Sequence, residues 1–223
     1  ILFSLLQLGV ANPEVHHALK SDRITAVGYE LIEDADGNLP VLTAMSEIAG
    51  KLLPQIAGRY LESNYGGRGI CLGGLPGISA SNVVIVGAGT VGTIAACGFL
   101  GAGASVMVLD SDLNRLRLLQ HTLSHSVNTA LATPYNLSRA ADFADVLVGA
   151  VLIHGKRTPH VIPESMVRKM KTGTVLIDVA IDQGGCVETS HPTTLSDPVF
   201  VKHGVIHYCV PNIASSVSRT ASH

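Results

Sequence analysis

The run Gly87-Ala88-Gly89-Thr90-Val91-Gly92 spaces its glycines as a phosphate-cradling turn does. Gly87 allows the tight turn, Gly89 lets backbone approach a pyrophosphate, and Gly92 lets a helix pack closely on the preceding strand. Such a turn binds an anion through free backbone N–H groups and the positive end of the helix dipole, with no charged side chain. Asp110 closes the apolar run Ala104–Leu109, about where a carboxylate would take two ribose hydroxyls. Its other reading is a cap for the next helix, and the glycine turn favours the ribose. Asp182 precedes Gln183-Gly184-Gly185, a flexible turn. It is either a catalytic or cofactor-side polar group or a loop aspartate capping its own turn.

These residues need a scaffold that brings strand ends together. Val83–Val86 is a β-branched apolar run of the kind buried on both faces of a parallel sheet. Similar runs occur at Ala104–Leu109, Val146–Val151, Thr174–Val179 and Gly204–Val210, with helical stretches at Asp112–Leu123, Leu137–Phe143 and from Pro163 between them. The alternation predicts an α/β, doubly wound parallel sheet, with every strand's C-terminal end on the edge of the glycine turn. Ahead of it, strands over Ile1–Val10 and Ile24–Ile32 flank a helix over Glu14–Leu19 capped by Asn12-Pro13. Ser46-Glu47 opens a long helix to Leu61, with Pro54 awkward inside it, and a brief strand over Ile70–Leu72 leads into the nucleotide turn. Residues just beyond the strand ends are Asp110, Leu152 to Gly155, Ala180 to Gly185 and Pro211 to Ile213.

Composition narrows the partners. With 223 residues, 47% of them apolar and 14% charged, the chain can bury a substantial core. A net charge of −2 gives no electrostatic case for nucleic acid or an anionic membrane. The opening segment meets polar residues and Pro13 too soon for a signal peptide or a membrane span. Cys71, Cys97, Cys186 and Cys209 lack ligand spacing and read as reduced, mostly buried thiols of a cytosolic protein. His154, His160, His191, His203 and His207 form no ligand-spaced set, so no metal is expected.

Four segments together carry a resemblance: Met45-Ser46-Glu47-Ile48-Ala49-Gly50, Gly87 to Gly92, Ile177 to Gly185 and His203 to Cys209. Over essentially its whole length the chain resembles the alanine dehydrogenase family, which is related to the alpha subunit of proton-translocating transhydrogenase. The resemblance implies two Rossmann-like domains around a cleft. Residues 1–45 would end the substrate domain, 46–210 would form the NAD-binding domain with its leading helix, and 211–223 would begin the return to the substrate domain. It also implies NAD-dependent interconversion of L-alanine with pyruvate and ammonia, in a cytoplasmic homo-oligomer, commonly a hexamer.

Carried over by motif, Asp182 matches the active-site aspartate, Ser46 a cofactor-binding serine and Asp110 the ribose acid, with Arg115 near the adenosine. Gly87, Ala88, Gly89, Thr90, Val91 and Gly92 would hold the phosphates. Val151, Leu152, Val179, Ala180, Ile181, Val210, Asn212 and Ile213 would line the nicotinamide end. The family usually has a histidine in a Leu-His-Leu-Ala-like context; here Leu6-Gln7-Leu8 stands instead. Glutamine hydrogen-bonds a carbonyl but exchanges no proton near neutral pH. Gln7 then positions the substrate while Asp182 and water handle protons, or it marks a different 2-oxo acid or weak catalysis. A transhydrogenase-like nucleotide-binding module is the alternative. The family's arginine and lysine for the substrate carboxylate are expected upstream of Ile1, whose place at the start reads as that of a fragment.

Overall fold

A computed structural model describes residues 1–6, 8, 11–153 and 157–222, so Gln7 and His154 lie outside the described residues. The chain opens on β1 (Leu2–Ser4), α1 (Pro13–Ser21) and β2 (Ala26–Gly28), the two strands pairing in parallel. Asn12 Oδ1 accepts the Glu14 N–H at 3.0 Å and caps α1 as expected. β2 is shorter than its apolar run because the chain turns into a 3-10 segment at Tyr29–Leu31 straight after Gly28, and β1 pairs with it from Leu2 to Ser4.

α2 spans Pro40–Leu61, six residues longer at its start than the Ser46 opening predicted. Pro40 supplies the start signal, since a first-turn proline gives up an N–H that has no helical partner anyway. The expected boundary at residue 45 therefore falls inside a helix. Pro54 is tolerated within it, and its ring lies against α3 (Thr90–Gly101): a Cβ at Gly98 would stand 2.9 Å from Pro54 Cγ. No strand forms over Ile70–Leu72; the local pairing is instead a tight turn in which Leu75 and Ile78 exchange backbone hydrogen bonds of 3.0 and 2.8 Å.

The main sheet comprises β3 (Asn82–Val86), β4 (Ser105–Asp110), β5 (Asn128–Leu131), β6 (Val146–Gly149), β7 (Val175–Asp178), β8 (Val199–Lys202) and β9 (Val205–Tyr208). Their order is β5-β4-β3-β6-β7-β9-β8, and every pair is parallel except β8–β9. The doubly wound α/β sheet is thus present, with an antiparallel edge strand that hydrophobic runs did not show. Its signal was His203-Gly204: both adopt positive φ (55° and 77°), the requirement of a two-residue hairpin turn. β5 was also unexpected, being short and only partly buried.

Alternate residues of β3 serve opposite faces. Val83 and Ile85 pack with Leu53, Ala57, Ala95 and Phe99 of α2 and α3, joined by Leu116 and Leu119 of α4 (Leu113–Thr122). Val84 and Val86 pack with Leu137, Ala140 and Ala141 of α5 (Pro134–Phe143) and Val167 of α6 (Glu164–Val167). Strands covered on both sides read as continuous apolar runs for this reason. All four cysteines are free, but only Cys186 and Cys209 are buried; Cys71 and Cys97 are exposed, contrary to the expected burial. Among the described residues no helix is long and apolar enough to cross a membrane.

His207 lies within β9, with no exposed surface. Val205 O, 3.0 Å from Nδ1, can only accept, which assigns the ring proton to Nδ1 and leaves Nε2 to accept the Thr189 hydroxyl at 2.8 Å. Burial pushes this imidazole down from 6.5 to about 4. Between those pH values the unfolded chain binds a proton that the fold does not, so stability falls as pH drops. At pH 5 the loss relative to pH 7 is expected to be about 2 kcal/mol. Urea unfolding of wild type and His207→Gln at both pH values checks this: the variant should show a shallower dependence, and equal slopes would refute it.

Candidate functional site

Strand order reverses between β3 and β6, and ligands of open α/β sheets bind beyond the strand ends at such a switch point. A cleft of about 960 Å³ opens there. Met45, Ser46 and Ala49 of α2 form one wall, and Val91, Val151, Leu152, the segment Val179 to Gly184, and Pro211 to Ala214 line the cleft further, with Glu30 and Arg157 its other acid and its arginine.

The glycine turn is built by contacts that only glycine permits. Gly87 has φ +113°, and a Cβ on it would stand 2.4 Å from Ala150 O. A Cβ on Gly92 would stand 1.9 Å from Gly87 O, so α3 can start this close to β3 only without a side chain. Gly89 differs: a Cβ there meets nothing within 4 Å, leaving open space at the start of α3, where no side chain caps the helix. The first-turn N–H groups lack intrahelical partners, and together with that space they suit a diphosphate. Asp110, 8% exposed, ties this turn together: Ala88 N–H donates to Oδ2 at 2.6 Å and Asp112 N–H to Oδ1 at 2.8 Å. Each oxygen retains a second lone pair for a hydroxyl. The next helix is capped by Asp112, which accepts from Asn114 N–H at 2.8 Å, so Asp110 is not its cap.

The segment after β7 separates two aspartates. Asp178 is fully buried and accepts from the N–H groups of Ala180 (3.2 Å), Cys186 (3.1 Å) and Val187 (3.1 Å). It is the residue that caps its own turn. Burial raises its carboxyl above the ordinary aspartate value, with the Cys186 N–H pulling the other way. The consecutive left-handed glycines Gly184 (φ +94°) and Gly185 (φ +78°) let the chain fold round it. Asp182 faces the cleft and takes both oxygens' partner from elsewhere, the Asn212 N–H at 3.0 and 3.1 Å. Burial raises its carboxyl too, opposed by that N–H. A half-buried carboxyl so raised, in a cleft, is suited to proton transfer.

Ser46, Val91, Val151, Leu152, Val179, Ala180, Ile181, Asp182, Asn212 and Ile213 are brought together on the cleft. Gly87, Ala88, Gly89, Thr90 and Gly92 form the turn beside it. Val210 is 2% exposed and packs in the core, so its side chain is no part of the wall. Arg115 sits on α4 away from the cleft lining, its Nε 3.8 Å from Asp112. Sequence reasoning missed Glu30, a buried carboxylate on the cleft that accepts the Leu6 N–H at 3.2 Å, and no local pattern marked it. It passed over Asp178 and Arg157 as well, although Asp178 could have been found as the strand-end acid four residues before Asp182.

A glycine turn, an acid ending the next strand and a switch-point cleft define a Rossmann-type nucleotide-binding domain. The chain belongs to the family described as Alanine dehydrogenase/PNT, C-terminal domain, whose model matches residues 54–223. It is 45% identical over 223 residues to the alanine dehydrogenase of Bacillus subtilis (strain 168), covering all of this chain and 58% of that protein. A solved L-alanine dehydrogenase superposes with a TM-score of 0.91 at 44% identity, over 99% of this chain and 61% of that one. A transhydrogenase from Sinorhizobium meliloti superposes with a TM-score of 0.81 at 19% identity, over 99% of this chain and 63% of that one, which bears on the fold alone. The chain thus spans about three fifths of the relatives it matches.

Proposed function

We propose that the protein is an NAD-dependent oxidoreductase interconverting L-alanine with pyruvate and ammonia. The observation that carries this reading is Asp182, held by the Asn212 N–H on the cleft that the glycine turn borders, in a chain 45% identical to an alanine dehydrogenase. The turn Gly87 to Gly92 would hold the cofactor's pyrophosphate and Asp110 its ribose hydroxyls, with Ser46 across the cleft and Arg115 towards the adenosine. Val151, Leu152, Val179, Ala180, Ile181 and Ile213 would wall the nicotinamide away from water, with Asn212 the polar member of that wall. A nicotinamide bound there would supply or accept the hydride. Asp182 holds the proton that the substrate's nitrogen or oxygen gains or loses, at a carboxyl whose raised pKa brings it towards working pH. Residues 46–210 would be the cofactor side, with 1–45 and 211–223 belonging to the substrate side and α2 bridging them. That Leu5, Glu30 and Pro211 to Ala214 line one cleft supports this division. The same reading includes a cytoplasmic homo-oligomer, as the family resemblance implies.

The test is oxidation of NADH by the full-length protein with pyruvate and ammonium, against other 2-oxo acids and against NADPH. Pyruvate should be reduced, and NADPH should bind at least about tenfold more weakly, because Asp110 repels a 2′-phosphate. Measurable NADH binding without turnover on any 2-oxo acid would leave a nucleotide-binding module instead. Equal affinity for NADPH would remove Asp110 from its role.

A further inference from the structure

Any ligand of the proposed kind brings negative charge into this cleft. Yet two of the charged side chains on its described lining, Glu30 and Asp182, are carboxylates. Arg157 is the one arginine or lysine on that lining among the described residues. Its side chain lies flat over Gly184: a Cβ there would meet Arg157 Nε at 2.7 Å and Cγ at 2.8 Å. Gly184, lacking a side chain, thus leaves the room in which the Arg157 stem lies against the loop that carries Asp182. The neighbour, Thr158, is 3% exposed and donates its N–H to Gln183 O at 2.9 Å, which ties the base of the arginine to the same loop. Among the described residues no carboxylate lies within ion-pair distance of Arg157. An exposed arginine on a cleft wall, with no carboxylate paired to it among the described residues, offers a planar donor fork to an anionic oxygen group.

We infer that Arg157, laid across Gly184 beside Asp182, is a specificity-determining residue that takes an anionic oxygen group of the bound ligand. Two groups share that chemistry, the carboxylate of a 2-oxo acid and the diphosphate of the dinucleotide. The inference rests on the nucleotide-and-substrate reading above, but it is tested by binding as well as by turnover.

The experiment compares wild type with Arg157→Gln and Arg157→Lys, titrating NADH, adenosine, inorganic pyrophosphate and oxamate, and measuring KM for pyruvate. Arg157→Gln should weaken one anionic ligand tenfold or more, with Arg157→Lys recovering part of the loss. Weaker NADH and pyrophosphate binding with adenosine unchanged identifies the diphosphate. A higher pyruvate KM and weaker oxamate binding with NADH unchanged identify the carboxylate. Raised ionic strength should weaken the affected ligand more in wild type than in Arg157→Gln. All four ligands and KM within twofold of wild type would overturn the inference. Pyrophosphate or oxamate binding lost on Arg157→Gln in a protein that turns over no 2-oxo acid would uphold it while the oxidoreductase reading fails.

Discussion

Asp182→Asn is expected to lower kcat by about 10²–10⁴-fold, the range for loss of a positioned acid–base group, while NADH affinity stays within about twofold. Asparagine is nearly isosteric and keeps one carbonyl oxygen to accept the Asn212 N–H, now at 3.0 and 3.1 Å from the two carboxylate oxygens. The loop should therefore hold its shape. What disappears is the exchangeable proton at a carboxyl that burial has raised. Stopped-flow hydride transfer together with NADH fluorescence titration separates the two effects. An unchanged kcat would remove Asp182 from the chemistry. Parallel losses of kcat and of NADH affinity would make it a structural residue.

The second large effect belongs to the glycine turn. Gly92→Ala places a methyl 1.9 Å from Gly87 O, a backbone atom with little room to yield. Gly87 itself donates its N–H to Leu109 O at 2.7 Å and already occupies φ +113°. Either α3 must slide outward or the Gly87 peptide must turn, and both open the anion site. Overpacking of this kind costs about 1–3 kcal/mol, and NADH affinity should fall more than tenfold. Gly89→Ala is the discriminating companion. Its methyl meets nothing within 4 Å, so thermal stability should be unchanged while the added group occupies the space read as the pyrophosphate's. Calorimetric melting and NADH titration of both variants test the turn. Full NADH affinity in Gly89→Ala would place the phosphates elsewhere.

Much of the fold was legible because a sheet covered on both faces imposes continuous apolar runs, as at Val83–Val86 and Val175–Asp178. The antiparallel edge was not read, since β8 is only partly covered and its marker was a turn, His203-Gly204, rather than a hydrophobic pattern. The start of α2 was misplaced because the capping-like Ser46-Glu47 outweighed Pro40, which marks a first turn only when the residues after it continue as helix.

The glycine spacing, the acid closing the second strand and the Asp178-to-Gly185 segment were determined by the sequence alone, because each is a local requirement of backbone geometry or chemistry. Which aspartate of that segment is buried and which faces the cleft was decided only by tertiary structure. Asp182's partner, the Asn212 N–H, comes from thirty residues on, and Asp178's donors Cys186 and Val187 return to it only after two left-handed glycines turn the chain back. The same holds for Arg157, an ordinary loop residue until β6 and β7 lie side by side and set it across Gly184. Strand order brings these groups together, and local periodicity carries no record of strand order.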